Sequence, residues 1–399
     1  MNTDRTIKII DSTLRDGEQA PGVVFSLNEK LNIAQKLDEI GIEELEVGSP
    51  FISENEINTI KTIINSGFNF RSSCWSRARF DDIEAASKTK ASGINISYPV
   101  SDIQIAALGK TKDWIFMSMP IIVKFAKERF EYVSLGAQDA SRADFDFLCQ
   151  YIKMADELGV HRLRIADTVG ILNPFSTQRL IQNSIKSLSK SKMEIEFHGH
   201  NDLGMATANS LSALIAGANS VSVTVNGLGE RSGNAALEEV IMALKLTTDF
   251  DCLYNTSIFS ELSYMVEKAS GRKLQSSKPI VGEMTHKHES GIHTSSLLKD
   301  KKSYEPFSPN EIGKSESTFV FGTHSGSYAL NAFLEYNSIF LNQKDLKDLL
   351  SKIKQISTHK KTNLTNSEVI ELAASYQKEE SKRNSPILLF KKNKALSYF

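Results

Sequence analysis

The chain has 399 residues, of which 40% are hydrophobic and 24% are charged, and its formal net charge is −1. This near-neutral balance excludes a general electrostatic attraction for nucleic acid or for an anionic membrane surface. The three cysteines lie far apart and form no CxxC pair, which argues against a disulfide framework. No apolar leader opens the sequence and no apolar run approaches the roughly 18 residues of a membrane span, so we expect a cytoplasmic protein.

Strand-like and helix-like segments alternate regularly from residue 6 to about residue 247. The predicted strands are at 7–12, 43–48, 69–75, 93–98, 131–136, 162–167, 194–199 and 220–226. Between them apolar residues recur at helical spacing, most clearly at 27–39, 81–90, 144–158, 174–188 and 205–216. Eight strands, each followed by a helix, predict an α/β fold built as a parallel (β/α)8 TIM barrel, in preference to an open doubly wound sheet.

The alternation ends near residue 250. Residues 256–270 form one more predicted helix, and the stretch that follows to about 323 is rich in Ser, Lys, Pro and Gly. Helical periodicity returns at 325–336, 344–356 and 366–379, and the basic end at 391–399 is expected to fray. We therefore predict a catalytic barrel at 1–250, a linker at 251–323, and a small helical subdomain with a tail at 324–399.

Two short motifs lie where the first and seventh predicted strands end. Asp16 belongs to DSTLRDGEQ, and His198 and His200 belong to HGHND. Side chains two apart in a strand point the same way, and barrel closure places strand eight between strands seven and one. Asn234, in the loop after strand eight, could add a fourth ligand. Such a carboxylate, imidazole and amide set suits a divalent metal, although a buried ion pair and hydrogen-bonded histidines would also explain the motifs.

Two further motifs invite a comparison with known sites. The loop NGLGERSGN has GxGxxxG spacing, which departs from the dinucleotide fingerprint and lacks the Lys-Ser/Thr of a P-loop. We interpret it as a turn that exposes backbone amides. The segment HKHESGIH has HExxxH spacing, which does not match the HExxH of zinc proteases. Its histidines suggest a general acid or base, or a solvated loop.

Seven segments in order resemble the Claisen-condensing metallolyases related to isopropylmalate and homocitrate synthases, namely DSTLRDGEQ, ELEVGSP, SRARFDDIEAA, RIADTVG, HGHNDLGMATAN, NGLGERSGNAALEEV and HESGIH. The resemblance runs from residue 6 to about 336, and SRARFDDIEAA and PVSD are most similar to homocitrate synthases of the nitrogen-fixation type. It implies an acyltransferase that condenses acetyl-CoA with a 2-oxo acid, best 2-oxoglutarate, to give homocitrate and CoA. Another 2-oxo acid remains an alternative substrate. The protein would then be a citramalate, isopropylmalate or phosphonomethylmalate synthase.

The resemblance also implies a metal centre. A divalent cation (Mg, Mn, Zn or Co) would be bound by Asp16, His198, His200 and Asn234 and would act as a Lewis acid on the 2-oxo acid. Arg15 would stabilise the alkoxide that forms on the same oxygen.

Four other residues receive roles from the resemblance. Thr168 and Gln19 would bind the substrate. His293, assisted by Tyr304, would help to remove a methyl proton from acetyl-CoA. In this family the segment that carries both residues reaches into the neighbouring barrel, which implies a domain-swapped homodimer.

One position departs from the family pattern. In GAQDASRAD, Gln138 stands where relatives carry Glu, and an amide cannot accept a proton. This departure implies a shifted substrate preference, a neighbouring group that takes over, or an impaired paralogue. A lyase that runs the cleavage direction is a weaker alternative, because the loop after strand eight lacks the reactive Cys of such enzymes.

Overall fold

A computed structural model describes residues 6–188 and 192–383 of the chain. The predicted tail at 391–399 lies outside the described residues. The contacts within the chain divide it into two compact units, Met1–Leu274 and Gln275–Phe399. The domain boundaries predicted from the sequence, at 250 and 323, remain predictions. Within the described residues no helix is both long and apolar enough to cross a bilayer.

The first unit contains a closed barrel of eight parallel strands in sequence order. The strands are β1 (Lys8–Asp11), β2 (Glu44–Gly48), β3 (Arg71–Arg77), β4 (Gly93–Pro99), β5 (Tyr132–Gln138), β6 (Arg162–Asp167), β7 (Glu194–Gly199) and β8 (Ser220–Val223). Closure is made by β1, which pairs with β2 on one side and with β8 on the other. The predicted α/β fold with a parallel (β/α)8 barrel is therefore confirmed.

The eighth strand is shorter than its predicted range of 220–226. It ends at Val223 because the chain turns at once into a short 3-10 segment, Val225–Gly227. Asn226 has a positive φ of 61° there, which no strand residue adopts. This early turn opens the loop that carries Asn234 back toward β7.

Among the residues that the structure describes, the first unit has ten α-helices, which lie between or after its strands. They are α1 (Leu27–Ile40), α2 (Glu54–Ile64), α3 (Phe80–Ser87), α4 (Asp102–Ala107), α5 (Lys112–Lys127), α6 (Phe145–Glu157), α7 (Pro174–Lys186), α8 (Ala206–Ala216), α9 (Leu237–Thr247) and α10 (Phe259–Ser270). Local sequence explains where α1 begins, since the Ser26 side chain accepts from the Glu29 amide and the Glu29 carboxylate accepts from the Ser26 amide. The apolar stripe of α1, with Ile33 and Leu37, is fully buried.

The second unit is small and mostly helical. Its elements are the parallel strand pair β9 (Lys287–His288) and β10 (Thr318–Phe319) and the helices α11 (Gly291–Leu297), α12 (Ser327–Tyr336), α13 (Gln343–Lys360) and α14 (Asn366–Arg383). Its core is apolar and includes Phe321, Phe333, Leu349, Ile353 and Val369.

Candidate active site

Three donor side chains meet at the carboxyl end of the barrel. His198 is on β7, His200 follows that strand directly, and Asp16 lies in the loop after β1. Their ligand atoms all lie within 4.8 Å of one another, and the three residues are buried. His198 Nε2 is 3.3 Å from His200 Nε2 and 3.5 Å from Asp16 Oδ2. The predicted approach of β1 and β7 has thus placed these donors around one point.

Asn234 completes the cluster on the side of β8. It pairs with His200 in an antiparallel bridge, and its Nδ2 donates to Asp16 Oδ1 at 2.9 Å and to the Leu228 carbonyl at 3.0 Å. Its Oδ1 is buried and accepts no hydrogen bond from any described residue. A Cβ at Gly229 would lie only 2.3 Å from Asn234 Nδ2, so any larger residue there would displace the Asn234 side chain.

The donor set fits a divalent cation. Bonds of about 2.1 Å to one ion would separate neighbouring donors by about 3.0–3.4 Å, close to the observed spacing. Burial lowers the pKa of His198 and of His200, which keeps both rings neutral and able to offer a lone pair. Burial raises the pKa of Asp16, but the charge of Arg15, the two histidines and the Asn234 hydrogen bond together outweigh burial and hold the pKa of this carboxyl well below its usual range. The cluster therefore offers one charged and two neutral donors, with Asn234 Oδ1 as an unused oxygen.

Arg15 is held beside this cluster by buried carboxylates. Its Nη1 donates to Asp16 Oδ2 at 2.8 Å, and its Nε donates to Glu46 Oε2 at 2.6 Å. Glu46 also accepts at Oε1 from Arg164 Nη1, at 2.9 Å. Burial raises the pKa of Glu46, but the charges of Arg15 and Arg164 and the hydrogen bonds from Ser12 and Arg15 together outweigh burial and lower the pKa to about 2. The Arg15 side chain is thereby fixed in one orientation.

The ion pairs continue down the barrel interior. Arg164 Nε donates to Glu196 Oε1 at 2.6 Å, Arg162 Nε lies 2.7 Å from Glu196 Oε2, and Arg162 Nη2 donates to Glu44 Oε1 at 2.7 Å. A chain of alternating charges thus runs from Glu44 to Asp16 through side chains of β2, β6 and β7. Such buried charges are tolerated because each has a partner of opposite sign.

A cavity of about 260 Å³ opens onto the donor cluster. It is lined by seven of the ten site residues that the sequence predicts: Arg15, Asp16, Gln19, Gln138, Thr168, His198 and His200. A larger cavity of about 940 Å³ adjoins it and shares Trp75, Ser97 and Gln138 in its wall. The smaller volume lies below the roughly 300–1,000 Å³ of sites for drug-sized ligands, so this cavity suits a small ligand.

Known families match both parts of this chain. The HMGL-like family model matches residues 6–266, and the model described as homocitrate synthase post-HMGL domain-like matches residues 280–361. The chain belongs to the HMGL-like family. Among its relatives, 2-isopropylmalate synthase 2 of Caldanaerobacter subterraneus subsp. tengcongensis is 46% identical over 92% of this chain and 95% of its own length. Homocitrate synthase 1 of Nostoc sp. is 44% identical over 92% of this chain and 96% of its own length.

Other members of the HMGL-like family differ in their named activities. A putative (R)-citramalate synthase of Archaeoglobus fulgidus is 38% identical over 96% of this chain and 78% of its own length. Among solved structures, an HMG-CoA lyase of Bacillus subtilis has a TM-score of 0.60 at 18% identity, covering 69% of this chain and 97% of that one. This last likeness concerns the fold alone. Because the three synthases carry three different names, overall similarity does not select one substrate.

Thr168 and Gln138 lie on the wall of the smaller cavity. Thr168 Oγ1 accepts from the Asp139 amide at 2.8 Å, which leaves the hydroxyl proton free to be donated. Gln138 Oε1 accepts from Ser97 Oγ at 3.3 Å. Burial is partial for both side chains, and Gln19 is exposed. Their roles in substrate binding and catalysis stay predictions.

The two remaining predicted residues belong to the second unit. His293 lies on α11, and its ring stacks on that of Tyr304 with 4.0 Å between centroids and an interplanar angle of 26°. Tyr304 is 41% exposed. The expected contribution of this pair to a partner's barrel, and the homodimer itself, stay predictions.

Sequence reasoning missed the buried ion pairs that support Arg15. The missed residues are Glu44, Glu46, Arg162, Arg164 and Glu196. A signal was present, because charges stand two apart in ELEVG, RLRIAD and EIEFHG, which are predicted strands of a barrel. Side chains two apart share a face, and the inward face of a barrel strand is buried, so these charges required partners across the interior.

Proposed function

We propose that this protein is an acyltransferase that condenses acetyl-CoA with a 2-oxo acid, with 2-oxoglutarate as the substrate and homocitrate and CoA as the products. The observation that carries the proposal is the Asp16, His198 and His200 cluster beside Arg15 in a small buried cavity. Isopropylmalate, homocitrate and citramalate are all 2-hydroxy acids that arise when an acetyl group adds to a 2-oxo carbonyl. The segments SRARFDDIEAA and PVSD support the homocitrate synthase of the nitrogen-fixation type among these possibilities.

The cation site would bind and activate the electrophile, which is the 2-oxo acid. A divalent cation held by Asp16, His198, His200 and Asn234 would supply Lewis-acid polarisation of the 2-oxo carbonyl. Arg15 lies next to that cluster with its orientation fixed by Glu46, so its charge can stabilise the oxygen that becomes an alkoxide. Thr168 can donate its hydroxyl proton to the substrate carboxylate, with Gln19 at the cavity as a second polar contact.

The nucleophile forms from acetyl-CoA. A base removes one methyl proton, the resulting carbanion forms the new C–C bond to the carbonyl carbon, and the alkoxide takes up a proton. Water then cleaves the thioester, which gives a carboxylate and the free CoA thiol. We assign the base function to His293 with Tyr304, which is stacked on its ring, and we propose that the pair acts in the barrel of a partner in a domain-swapped homodimer.

Thiol release tests the proposal directly. Purified protein with Mg²⁺, Mn²⁺, Zn²⁺ or Co²⁺ is incubated with acetyl-CoA and each of 2-oxoglutarate, pyruvate and 2-oxoisovalerate, and free CoA thiol is measured. We expect release that depends on the oxo acid, fastest with 2-oxoglutarate. No release with any 2-oxo acid would overturn the condensing activity, whereas a faster reaction with another acid would correct only the substrate.

An impaired paralogue is the second candidate. Gln138 lines both cavities, where the family pattern has a carboxylate, and its amide cannot accept a proton. An impaired paralogue and an active synthase differ in one measurable respect. In an impaired paralogue, Gln138→Glu should raise the turnover sharply.

A further inference from the structure

Arg164 has a guanidinium nitrogen that is buried and unused. Its side chain lines the smaller cavity and is only 3% exposed. Nε donates to Glu196 and Nη1 to Glu46, but Nη2 has no hydrogen-bond partner within the part of the chain that the structure describes. A buried cationic N–H without an acceptor is unfavourable, and it is a place where an anionic ligand oxygen would be stabilised.

The position of Arg164 relative to the donors matches the length of a short oxo acid. On β6 and β7, Ala166 pairs with His198, so the Arg164 backbone lies two residues deeper in the barrel than His198. At about 3.3 Å per residue this is about 6.6 Å along the strand. A 2-oxo acid whose reacting end lies at the donors would extend its distal end toward this depth.

The cavity wall on the β4 and β5 side of Arg164 includes polar, uncharged residues. Gly136 pairs with Arg164 across β5 and β6, and a Cβ on Gly136 would lie 3.2 Å from Asn95 Oδ1. Asn95, Ser97 and Gly136 all line the same cavity. Gln138, two residues nearer the carboxyl end of β5, adds a neutral amide to the cavity wall. An aliphatic end would therefore leave Arg164 Nη2 without an acceptor, whereas a carboxylate would accept a hydrogen bond from it.

We propose that Arg164 is the specificity-determining residue of this site, and that its Nη2 binds the distal carboxylate of a dicarboxylic 2-oxo acid. The inference rests on the proposed function and names the substrate class of that same site. A site built around a buried donor rejects an analogue that lacks the acceptor more strongly than an apolar pocket rejects an extra methylene. The protein should therefore discriminate against monocarboxylic oxo acids of equal chain length.

The test compares 2-oxoglutarate with 2-oxopentanoate, which has the same five-carbon chain but ends in a methyl group. In the thiol-release assay, wild-type kcat/KM should be higher for 2-oxoglutarate by about 10- to 100-fold, the range expected for a hydrogen bond to a charged group. Arg164→Lys keeps a charge between Glu46 and Glu196 but loses the planar fork, so this ratio should fall toward 1.

Arg162→Lys is the matched control. Arg162 is on the same strand, is 1% exposed and shares Glu196, but it does not line the cavity, so its ratio should stay at the wild-type value. An equal loss of the ratio in both variants, or an unchanged ratio in Arg164→Lys, would overturn the proposal. Thermal unfolding of each variant shows whether it is folded.

A second variant avoids the buried ion pairs in case Arg164→Lys does not fold. Gly136→Ala adds a methyl group at the same depth, near Asn95 Oδ1 and Ser97, so it should reduce kcat/KM for 2-oxoglutarate more than for the shorter pyruvate. An equal effect on both substrates would contradict the placement of the distal carboxylate at the depth of Gly136 and Arg164. Robust thiol release that favours 2-oxopentanoate in the wild type would overturn this inference but leave the condensing function intact. Absence of release with every acid would overturn the function itself.

Discussion

Glu46 and Arg15 are joined by a buried 2.6 Å hydrogen bond from Arg15 Nε to Glu46 Oε2. The residues lie 31 positions apart, one after β1 and the other on β2, and the pair sets the direction of the guanidinium next to Asp16. Ser12 Oγ donates to the same carboxylate oxygen at 2.6 Å. The orientation of Arg15 at the site therefore depends on a carboxylate that lies one layer further into the barrel.

Glu46→Gln should destabilise the barrel by about 3–5 kcal/mol, because Arg15 and Arg164 stay buried but lose the negative charge that they share. Both tryptophans, Trp75 and Trp114, lie in the first unit, so urea unfolding followed by tryptophan fluorescence measures this free energy. The control is Glu54→Gln, in an exposed pair with Lys88, which should cost less than about 1 kcal/mol. A loss as small as that of the control would show that Glu46 is not needed for the ion-pair chain.

Asp16→Asn should weaken divalent-cation binding by about 100-fold or more, since it removes the one charged donor of the cluster. Affinity for Zn²⁺ and Mn²⁺ is measured by competition with a chromophoric chelator, and the bound metal is counted after dialysis. Asp81→Asn, at a side chain that is 89% exposed, should leave the affinity unchanged. Equal affinities for Asp16→Asn and wild type would argue against the cluster as the metal site.

Gly229→Ala should weaken cation binding by about 10- to 100-fold, comparable to the loss of a group that orients a ligand. The added Cβ would lie 2.3 Å from Asn234 Nδ2 and 3.2 Å from Asp16 Oδ1, so Asn234 must move. Gly17→Ala is the matched control, because the nearest atoms to its Cβ are at an ordinary 3.6 Å. The same chelator titration compares the two variants, and similar affinities would mean that Asn234 does not contribute.

Gln138→Glu separates the two candidate functions. If the protein is an active synthase, turnover in the thiol-release assay should change by less than about tenfold, since general acid or base catalysis is then supplied elsewhere. Gln104→Glu, which lines only the larger cavity, controls for the added charge. A rise of about 100-fold or more in Gln138→Glu alone would support the impaired paralogue instead.

Mixed dimers test the proposed sharing of sites between subunits. Asp16→Asn and His293→Ala should each be inactive, because one removes a metal donor and the other removes the base. After co-expression, random pairing in a domain-swapped homodimer should restore roughly a quarter of the wild-type activity, since half of the dimers then hold one intact site. Light scattering gives the mass of the mixture. Activity that stays at the level of the single variants in a confirmed dimer would show that each chain uses its own His293.

The period of the strands made the barrel predictable. The strands at 162–167 and 194–199 have the same bounds in the structure as in the prediction, because apolar, β-branched and charged residues alternate there without a competing turn. The predicted eighth strand was too long. The left-handed conformation of Asn226, which ends the strand early, is set by the loop and does not follow from the strand propensity of the residues. That Asp16, His198 and His200 lie together was predictable as well, because their positions at the ends of strands that barrel closure brings together are read from the sequence.

The sequence by itself determined the (β/α)8 barrel and indicated the candidate donors Asp16, His198 and His200, because periodicity and side-chain chemistry are local properties of the chain. Only the tertiary structure decided which buried charges meet. Arg164 reaches Glu46 across 118 residues of sequence and keeps Nη2 without a hydrogen-bond acceptor among the described residues, and the close approach of Gly229 to Asn234 depends on the path of a loop. These contacts follow from barrel closure, which turns inward-facing residues of distant strands toward one another.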